Sequence, residues 1–111
     1  MATALVIQPR LEPEAALHLC RTLADPTRFA LMAAIWSAEQ CVCDLRSATG
    51  EPRQNLVSHH LGVLRRAGIV DTRRDGRWIY YRPADAMDVA TSTALTALLG
   101  TRGVGQTAAC E

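Results

Sequence analysis

The chain has 111 residues, of which 49% are hydrophobic and 21% charged, and its formal net charge is +1. That length suffices for one compact core and is too short for two independent domains. No apolar run approaches the roughly 20 residues that cross a bilayer, and the N-terminus lacks the pattern of a secretory signal, so we expect a cytoplasmic protein with no membrane partner.

The positive charge is concentrated in the middle of the chain. All twelve basic residues are arginine, and eight of them lie between residues 46 and 82, where only three acids occur. The resulting local charge of +5 is typical of a surface that binds a polyanion, although a solvated charged face has the same composition.

The first part of the chain predicts an arm followed by two helices. Residues 1–10 show no periodicity and are read as the arm. A first helix is predicted from Glu12, because Pro13 suits an opening turn and apolar residues follow at helical spacing. A second helix is predicted after Asp25, a typical N-cap. Apolar residues lie along one side of this second helix, at Phe29, Met32, Ala33 and Trp36.

Two further helices make a helix-turn-helix candidate. The segment CVCDLRSATG predicts a short helix that ends at Gly50, with Val42, Leu45 and Ala48 facing inward. The segment EPRQNLVSHHLGVLRRAG predicts a longer one that is closed by Gly68.

The residue pattern then changes from helical to strand-like. In IVDTRRDGRWIYYR, β-branched and aromatic residues flank Asp75-Gly76, a dipeptide preferred in tight hairpin turns. The segment PADAMDVATSTALTALL predicts a last helix, and residues 101–111 a flexible tail rich in glycine. The predicted fold class is therefore mainly α with a β-hairpin wing, a winged helix-turn-helix over residues 11–100.

The longer helix of the helix-turn-helix has one short, polar and cationic face. At 100° per residue, five residues of this face fall within an arc of about 100°, namely Asn55, Ser58, His59, Gly62 and Arg66. An ordinary solvated helix face is the alternative interpretation. Asn and Gln suit adenine, Ser suits several base edges, and Arg suits guanine or phosphate. Gly62 on this face leaves room for a close backbone approach. The predicted DNA-reading residues are Arg53, Gln54, Asn55, Ser58, His59 and Arg66.

Three arginines and one histidine extend this prediction. Arg73, Arg74 and Arg77 bracket the hairpin tip, where they are expected to neutralise phosphates without selecting sequence. The alternative is that their charge keeps an exposed ribbon from pairing with another edge. His60 falls among apolar positions, so we expect it to be packed and hydrogen-bonded rather than a metal ligand.

Several stretches together resemble the ArsR/SmtB family of bacterial metal- and metalloid-responsive repressors. They occur in continuous order over residues 15–83 as LADPTRFALM, CVCDL, VSHHLGVLRRAGIV and DGRWIYYR. The resemblance implies a homodimer, paired through its first and last helices, that binds double-stranded DNA at an inverted-repeat operator and leaves it when an inducer binds. No catalytic triad or carboxylate pair is apparent, so we do not expect an enzyme.

The family's sensor sites are matched here only in part. The last-helix site uses histidine, which the last helix lacks, and Asp85 and Asp88 alone are poor zinc ligands. The site built on CVCD has both of its thiols, Cys41 and Cys43. Arsenic-responsive members commonly have a third cysteine where this chain has Arg46. Cadmium- and lead-responsive members use cysteines of the N-terminal arm, and none occurs in residues 1–19.

The chemistry of the two thiols favours a soft ion as the inducer. Two residues apart on a helix, their side chains diverge by about 200°, so binding is expected to distort the first turn. For a third sulfur we prefer Cys110 on the tail, because Cys20 is expected to pack in the core. The predicted ligands are therefore Cys41, Cys43 and Cys110, and with no third sulfur two thiolates would still bind arsenite or an organoarsenical.

The sequence thus predicts a repressor that leaves its operator on binding arsenite or antimonite and that requires no resident cofactor. A thiophilic divalent metal such as cadmium, lead or zinc is an alternative inducer. Thiol-redox or persulfide sensing is a second alternative within regulation. Outside regulation, the alternatives are a small metal carrier or thiol oxidoreductase, or simple structural packing of the two thiols.

Overall fold

The computed structural model describes residues 10–101 and 103, so most of the predicted arm and tail lie outside the described residues. Its elements confirm the predicted class, because a helix-turn-helix is followed at once by a two-stranded wing. None of its helices is long and apolar enough to span a membrane. In chain order the elements are α1 (Pro13–Leu23), α2 (Pro26–Ser37), β1 (Gln40–Cys41), α3 (Val42–Thr49), α4 (Gln54–Arg66), β2 (Val70–Asp75), β3 (Trp78–Pro83) and α5 (Val89–Leu99).

The helix ends follow local chemistry. The Asp25 side chain accepts hydrogen bonds from the backbone N–H groups of Thr27 and Arg28, as expected of an N-cap. Gly50 ends α3 in the left-handed conformation, with φ of 70°. The last helix begins later than predicted, because Asp88 caps it by accepting from the Thr91 N–H.

The core lies between the helices and the base of the wing. Its fully buried side chains include Leu31, Met32, Ile35, Trp36, Leu45, Val57, Leu61, Leu64 and Leu95. Along the apolar side noted for α2, Met32 and Trp36 are buried and Phe29 is 37% exposed. Leu31 and Ile35, outside that side, are buried as well. In α3, Leu45 is buried as predicted, and Ala48 is exposed. Both helices carry apolar residues on several sides, so periodicity alone does not select the buried one.

The sheet contains a strand that the sequence did not predict. Gln40–Cys41 pairs antiparallel with β3, which makes β3 the central strand in the order β1-β3-β2. Cys41 lies opposite Tyr80, and Tyr80 lies opposite Arg73. The segment that carries the first thiol is therefore part of the wing sheet.

The chain that follows α5 is held against the end of α2. The indole N–H of Trp36 donates to the Gly100 carbonyl at 2.8 Å, and the Gly103 N–H donates to the Trp36 carbonyl at 3.0 Å. A Cβ on Gly103 would lie 1.7 Å from the Ser37 carbonyl oxygen, so only glycine fits this close approach. These contacts direct the chain beyond α5 toward the region that precedes Cys41.

Candidate DNA-binding surface and thiol site

Helix α4 has the two faces that the sequence predicts. Val57, Leu61 and Leu64 are at most 1% exposed and anchor the helix to the core. The opposite face is exposed and polar, with the side chains of Gln54, Asn55, Ser58, His59 and Arg66. Short polar side chains on an exposed helix of a helix-turn-helix suit the major groove of DNA.

Arg53 stands at the N-cap position of α4 and is paired with Glu51. Its Nε lies 2.9 Å from Glu51 Oε1, and its Nη2 lies 3.2 Å from Oε2. This pairing lowers the pKa of Glu51 to about 2 and raises the pKa of Arg53. Because the Arg53 side chain is 68% exposed, the pair contributes little stability and leaves the guanidinium accessible to a phosphate.

The C-terminal end of α4 presents two arginines, of which the sequence analysis selected one. Arg65 and Arg66 are both exposed in its last turn. Arg66 was predicted from the sequence and Arg65 was missed, although the two arginines are adjacent in the sequence. A Cβ on Gly62 would lie 3.2 Å from Arg66 Nη1. The space that we expected Gly62 to leave for DNA is therefore bordered by the Arg66 guanidinium.

The three wing arginines differ in their surroundings. Arg74 and Arg77 are exposed, and the Arg77 guanidinium carbon lies 5.5 Å from the centroid of the Trp78 ring. Arg73 instead pairs with Glu39 at an Nη2–Oε1 distance of 2.6 Å and lies over the Tyr80 ring at 4.8 Å. Arg74 and Arg77 are thus accessible to a ligand, whereas Arg73 is engaged within the protein.

His60 is buried and hydrogen-bonded, as predicted. Arg28 Nη1 lies 3.1 Å from its Nδ1, and its Nε2 lies 3.9 Å from Asp25 Oδ1. Because a guanidinium only donates, Nδ1 must be the unprotonated acceptor. Burial lowers the pKa of His60, Arg28 and His59 lower it further, and Asp25 and Glu51 oppose them. In its neutral form, His60 therefore connects α4, the candidate DNA-recognition helix, to the start of α2.

The two thiols of the CVCD segment lie in different environments. Cys41 is the N-cap of α3, is 2% exposed, and packs on Tyr80 of the wing. Its sulfur lies 3.4 Å from Asp44 Oδ2 and takes part in a disulfide. Cys43 is a free, exposed thiol in a cavity of about 430 Å³ that Arg46 also lines. One ion can therefore reach both sulfurs only if the first turn of α3 rearranges.

The predicted environment of Cys20 is wrong, and the predicted role of Cys110 stays a prediction. Cys20 is exposed on α1, so its predicted core packing is wrong for the single chain. Cys110, the preferred third ligand, lies outside the described residues. Among residues 10–101 and 103, no three His, Cys, Asp or Glu side chains are grouped to hold a metal ion.

Comparison with known proteins identifies the family. A family described as "Helix-turn-helix domain" matches residues 23–73. The transcriptional repressor SmtB of Mycobacterium tuberculosis is 43% identical over 77 residues, which are 69% of this chain and 56% of that protein. The crystal structure of the transcriptional repressor BigR from Xylella fastidiosa superimposes with a TM-score of 0.63 at 34% identity, covering 77% of this chain and 86% of that one. The chain belongs to the ArsR/SmtB family.

A further ArsR/SmtB relative has a named physiological role. The arsenical resistance operon repressor of Escherichia coli is 37% identical over 67 residues, which are 60% of this chain and 56% of that protein. The chain thus spans about half the length of these curated relatives. The relatives are transcriptional regulators rather than enzymes, in agreement with the sequence prediction.

Two positions show how this ArsR/SmtB member departs from the family pattern described above. Arg46, where a third cysteine is common, donates from Nη2 to the Pro52 carbonyl at 2.8 Å and so supports the turn between α3 and α4. At α5, Asp85 pairs with Arg82 and Asp88 caps the helix. Asp85 and Asp88, the two acids near the family's last-helix sensor site, therefore have structural partners.

Proposed function

We propose that this chain is a transcriptional repressor that binds operator DNA and releases it when trivalent arsenic or antimony binds its cysteine thiolates. The observation that carries the proposal is the position of Cys41. It caps the helix that precedes the recognition helix and lies in the same sheet as the wing. A ligand bound there acts on both DNA-binding elements at once.

The proposed DNA contacts divide into two kinds. The exposed side chains of α4 from Gln54 to His59 would read base edges in the major groove. Arginines at the ends of α4 and in the wing would contact phosphates and orient the chain on the duplex. The proposed phosphate contacts are Arg53, Arg66, Arg74 and Arg77, and we also propose Arg65 because it is exposed in the last turn of α4.

We propose that two copies of the chain pair through α1 and α5. An apolar groove of about 500 Å³ lies between these helices, with Cys20, Phe29 and Leu98 in its walls. Leu17 and Leu98, on the two helices, are 54% and 56% exposed. Covering such surface with a second copy removes it from water. A two-fold dimer would present two α4 helices to the two halves of an inverted repeat.

The proposed inducer site joins Cys41 and Cys43 with Cys110 as the third ligand. Arsenite, As(OH)₃, condenses with three thiols to give As(SR)₃ and three water molecules, and the reduced form of Cys41 is required. Gly103 lies beside the end of α2, and Cys110 follows it by seven residues. Fully extended, those seven residues span at most about 25 Å. This reach from the end of α2 supports Cys110 as the third ligand. We propose that the chain works in the cytoplasm, where thiols are kept reduced.

Fluorescence anisotropy on an operator from the protein's own promoter tests the proposal. Arsenite or antimonite should release the wild-type protein, and the same titration with cadmium, lead and zinc compares the alternative inducers. The double variant Cys41→Ser with Cys43→Ser should still bind DNA and should ignore arsenite. Cys20→Ala, which keeps the proposed dimer groove apolar, is the matched control and should respond like the wild type. Arsenite-driven release that persists in the double variant would remove the site.

The variant Cys110→Ser tests the third ligand. If Cys110 contributes a sulfur, its loss should raise the arsenite concentration needed for release and leave operator affinity unchanged. An unchanged arsenite response would assign the inducer to two thiolates. A duplex that does not bind at all would favour the metal-carrier alternative.

Thiol-redox or persulfide sensing is the second candidate, and a specific observation favours it. Cys41 takes part in a disulfide while Cys43 is free, so oxidation at Cys41 does not require a disulfide with Cys43, whose position two residues away on a helix is poor for a relaxed disulfide. Under this candidate, an oxidant or persulfide donor should release the operator and a reductant should restore binding. The effect should disappear in Cys41→Ser and persist in Cys43→Ser, whereas arsenite sensing requires both.

A further inference from the structure

Three residues form one row across the wing sheet. Cys41 on β1 pairs with Tyr80 on β3, and Tyr80 pairs with Arg73 on β2. Side chains at directly opposed positions lie on the same face of a sheet and contact each other. Cys41 and Tyr80 are 2% and 7% exposed and form a small apolar cluster against which Trp78 packs. The row therefore connects a buried sulfur to a wing arginine through one aromatic ring.

Glu39 ties the far end of the row back to the thiol segment. Arg73 Nε lies 3.0 Å from Glu39 Oε2, and Nη2 lies 2.6 Å from Oε1. The Glu39 side chain is 11% exposed, so this two-point contact is shielded from water better than an ordinary surface ion pair. Glu39 precedes Cys41 by two residues, so both ends of the row belong to one short segment.

We propose that this row, defined as Glu39, Cys41, Tyr80 and Arg73, holds the wing in its DNA-binding position and that an inducer at Cys41 releases the wing by breaking it. This step rests on the proposed inducer site. Cys41 is 2% exposed and packs on Tyr80, so we expect coordination by arsenic to draw Cys41 away from β3. Glu39 moves with it, and a bidentate contact tolerates little displacement.

The proposal gives Arg73 a role different from that of its neighbours. Arg74 on β2 and Arg77 in the turn that follows are exposed, while Arg73 positions the strand that leads to this turn. The inducer signal then reaches DNA by two routes, through α3 to α4 and through β1 to the wing. Arg73 is a positioning residue rather than a phosphate contact.

Glu39→Gln tests the row without needing an inducer, because the amide keeps the shape of the side chain and removes its charge. We expect operator affinity to fall about fivefold, and the remaining arsenite effect to shrink by a similar factor. A gain in operator affinity would refute the proposal. If Glu39 merely restrains a phosphate-binding Arg73, the substitution strengthens DNA binding and steepens its salt dependence. Asp85→Asn is the matched control, since it removes the exposed pair with Arg82, and it should leave both quantities unchanged.

The fluorescence of Trp78 provides a second readout without DNA. Arsenite should change the tryptophan emission of the wild type, and the change should be lost in Trp78→Phe, which retains Trp36, and in Cys41→Ser. Circular dichroism checks that each variant is folded, and the arsenic content of desalted protein measures binding. Bound arsenic with unchanged Trp78 emission would overturn the proposal. If no arsenic is retained, the proposed inducer fails, and the inducer-free affinity of Glu39→Gln still decides whether the row positions the wing.

Discussion

Replacing Arg77 by alanine should weaken operator binding without altering sequence preference. Arg77 is exposed at the hairpin tip, and its guanidinium lies near the Trp78 ring, which holds it beside the wing. A phosphate contact contributes through release of condensed counterions, which does not depend on base sequence. The variant should therefore lose affinity for specific and random duplexes by the same factor.

The magnitude follows from the number of phosphates that are lost. In a two-fold dimer each substitution removes two contacts, so the slope of log K against log salt should fall in magnitude by about 1.8. Over a fourfold rise in salt, that difference changes the ratio of wild-type to variant affinity by about twelvefold. The affinity deficit of the variant should thus be largest in dilute salt and nearly absent in concentrated salt.

Anisotropy titrations of the wild type and Arg77→Ala at several salt concentrations measure this slope. Arg21→Ala is a suitable control, because Arg21 is exposed and belongs neither to α4 nor to the wing. An Arg77→Ala slope equal to the wild-type slope would refute the phosphate assignment. A loss of discrimination between operator and random duplex would show that Arg77 reads bases instead.

Three further predictions concern α4 and the contacts near α2. Asn55→Ala should lower discrimination between operator and mismatched duplexes by about 1–3 kcal/mol in competition titrations, and equal loss on every duplex would contradict base reading. The folded-state pKa of His60 lies below its ordinary 6.5, so the unfolded chain takes up the proton first and stability falls as pH drops below that value. Urea denaturation at neutral and mildly acidic pH should show this loss in the wild type, and a smaller loss in His60→Gln. Gly103→Ala should detach the chain beyond α5, because the added Cβ meets the Ser37 carbonyl; unchanged Trp36 fluorescence would argue against that contact.

Features that depend on neighbouring residues were predictable from the sequence. Asp25 followed by Pro26 marks the start of α2, because capping and a preset φ are local properties. The hairpin was expected at Asp75-Gly76, and the structure places its two turn residues at Gly76 and Arg77, with Gly76 at a φ of 62°. The two faces of α4 followed from its period, since its polar and apolar residues are cleanly separated. The candidate DNA surface was therefore visible before the fold was known.

The surroundings of the candidate thiol site required the tertiary structure. A two-residue strand such as Gln40–Cys41 has no period to detect, and it exists because β3 offers an edge about 40 residues later in the chain. The burial of Cys41, the exposure of Cys20 and the capture of Arg73 by Glu39 likewise depend on which distant surfaces meet. The sequence by itself determined the five helices, the hairpin and the candidate residues for soft-ion and DNA chemistry. Only packing decided that the first thiol lies in the wing sheet, because contacts between distant segments leave no pattern in either segment alone.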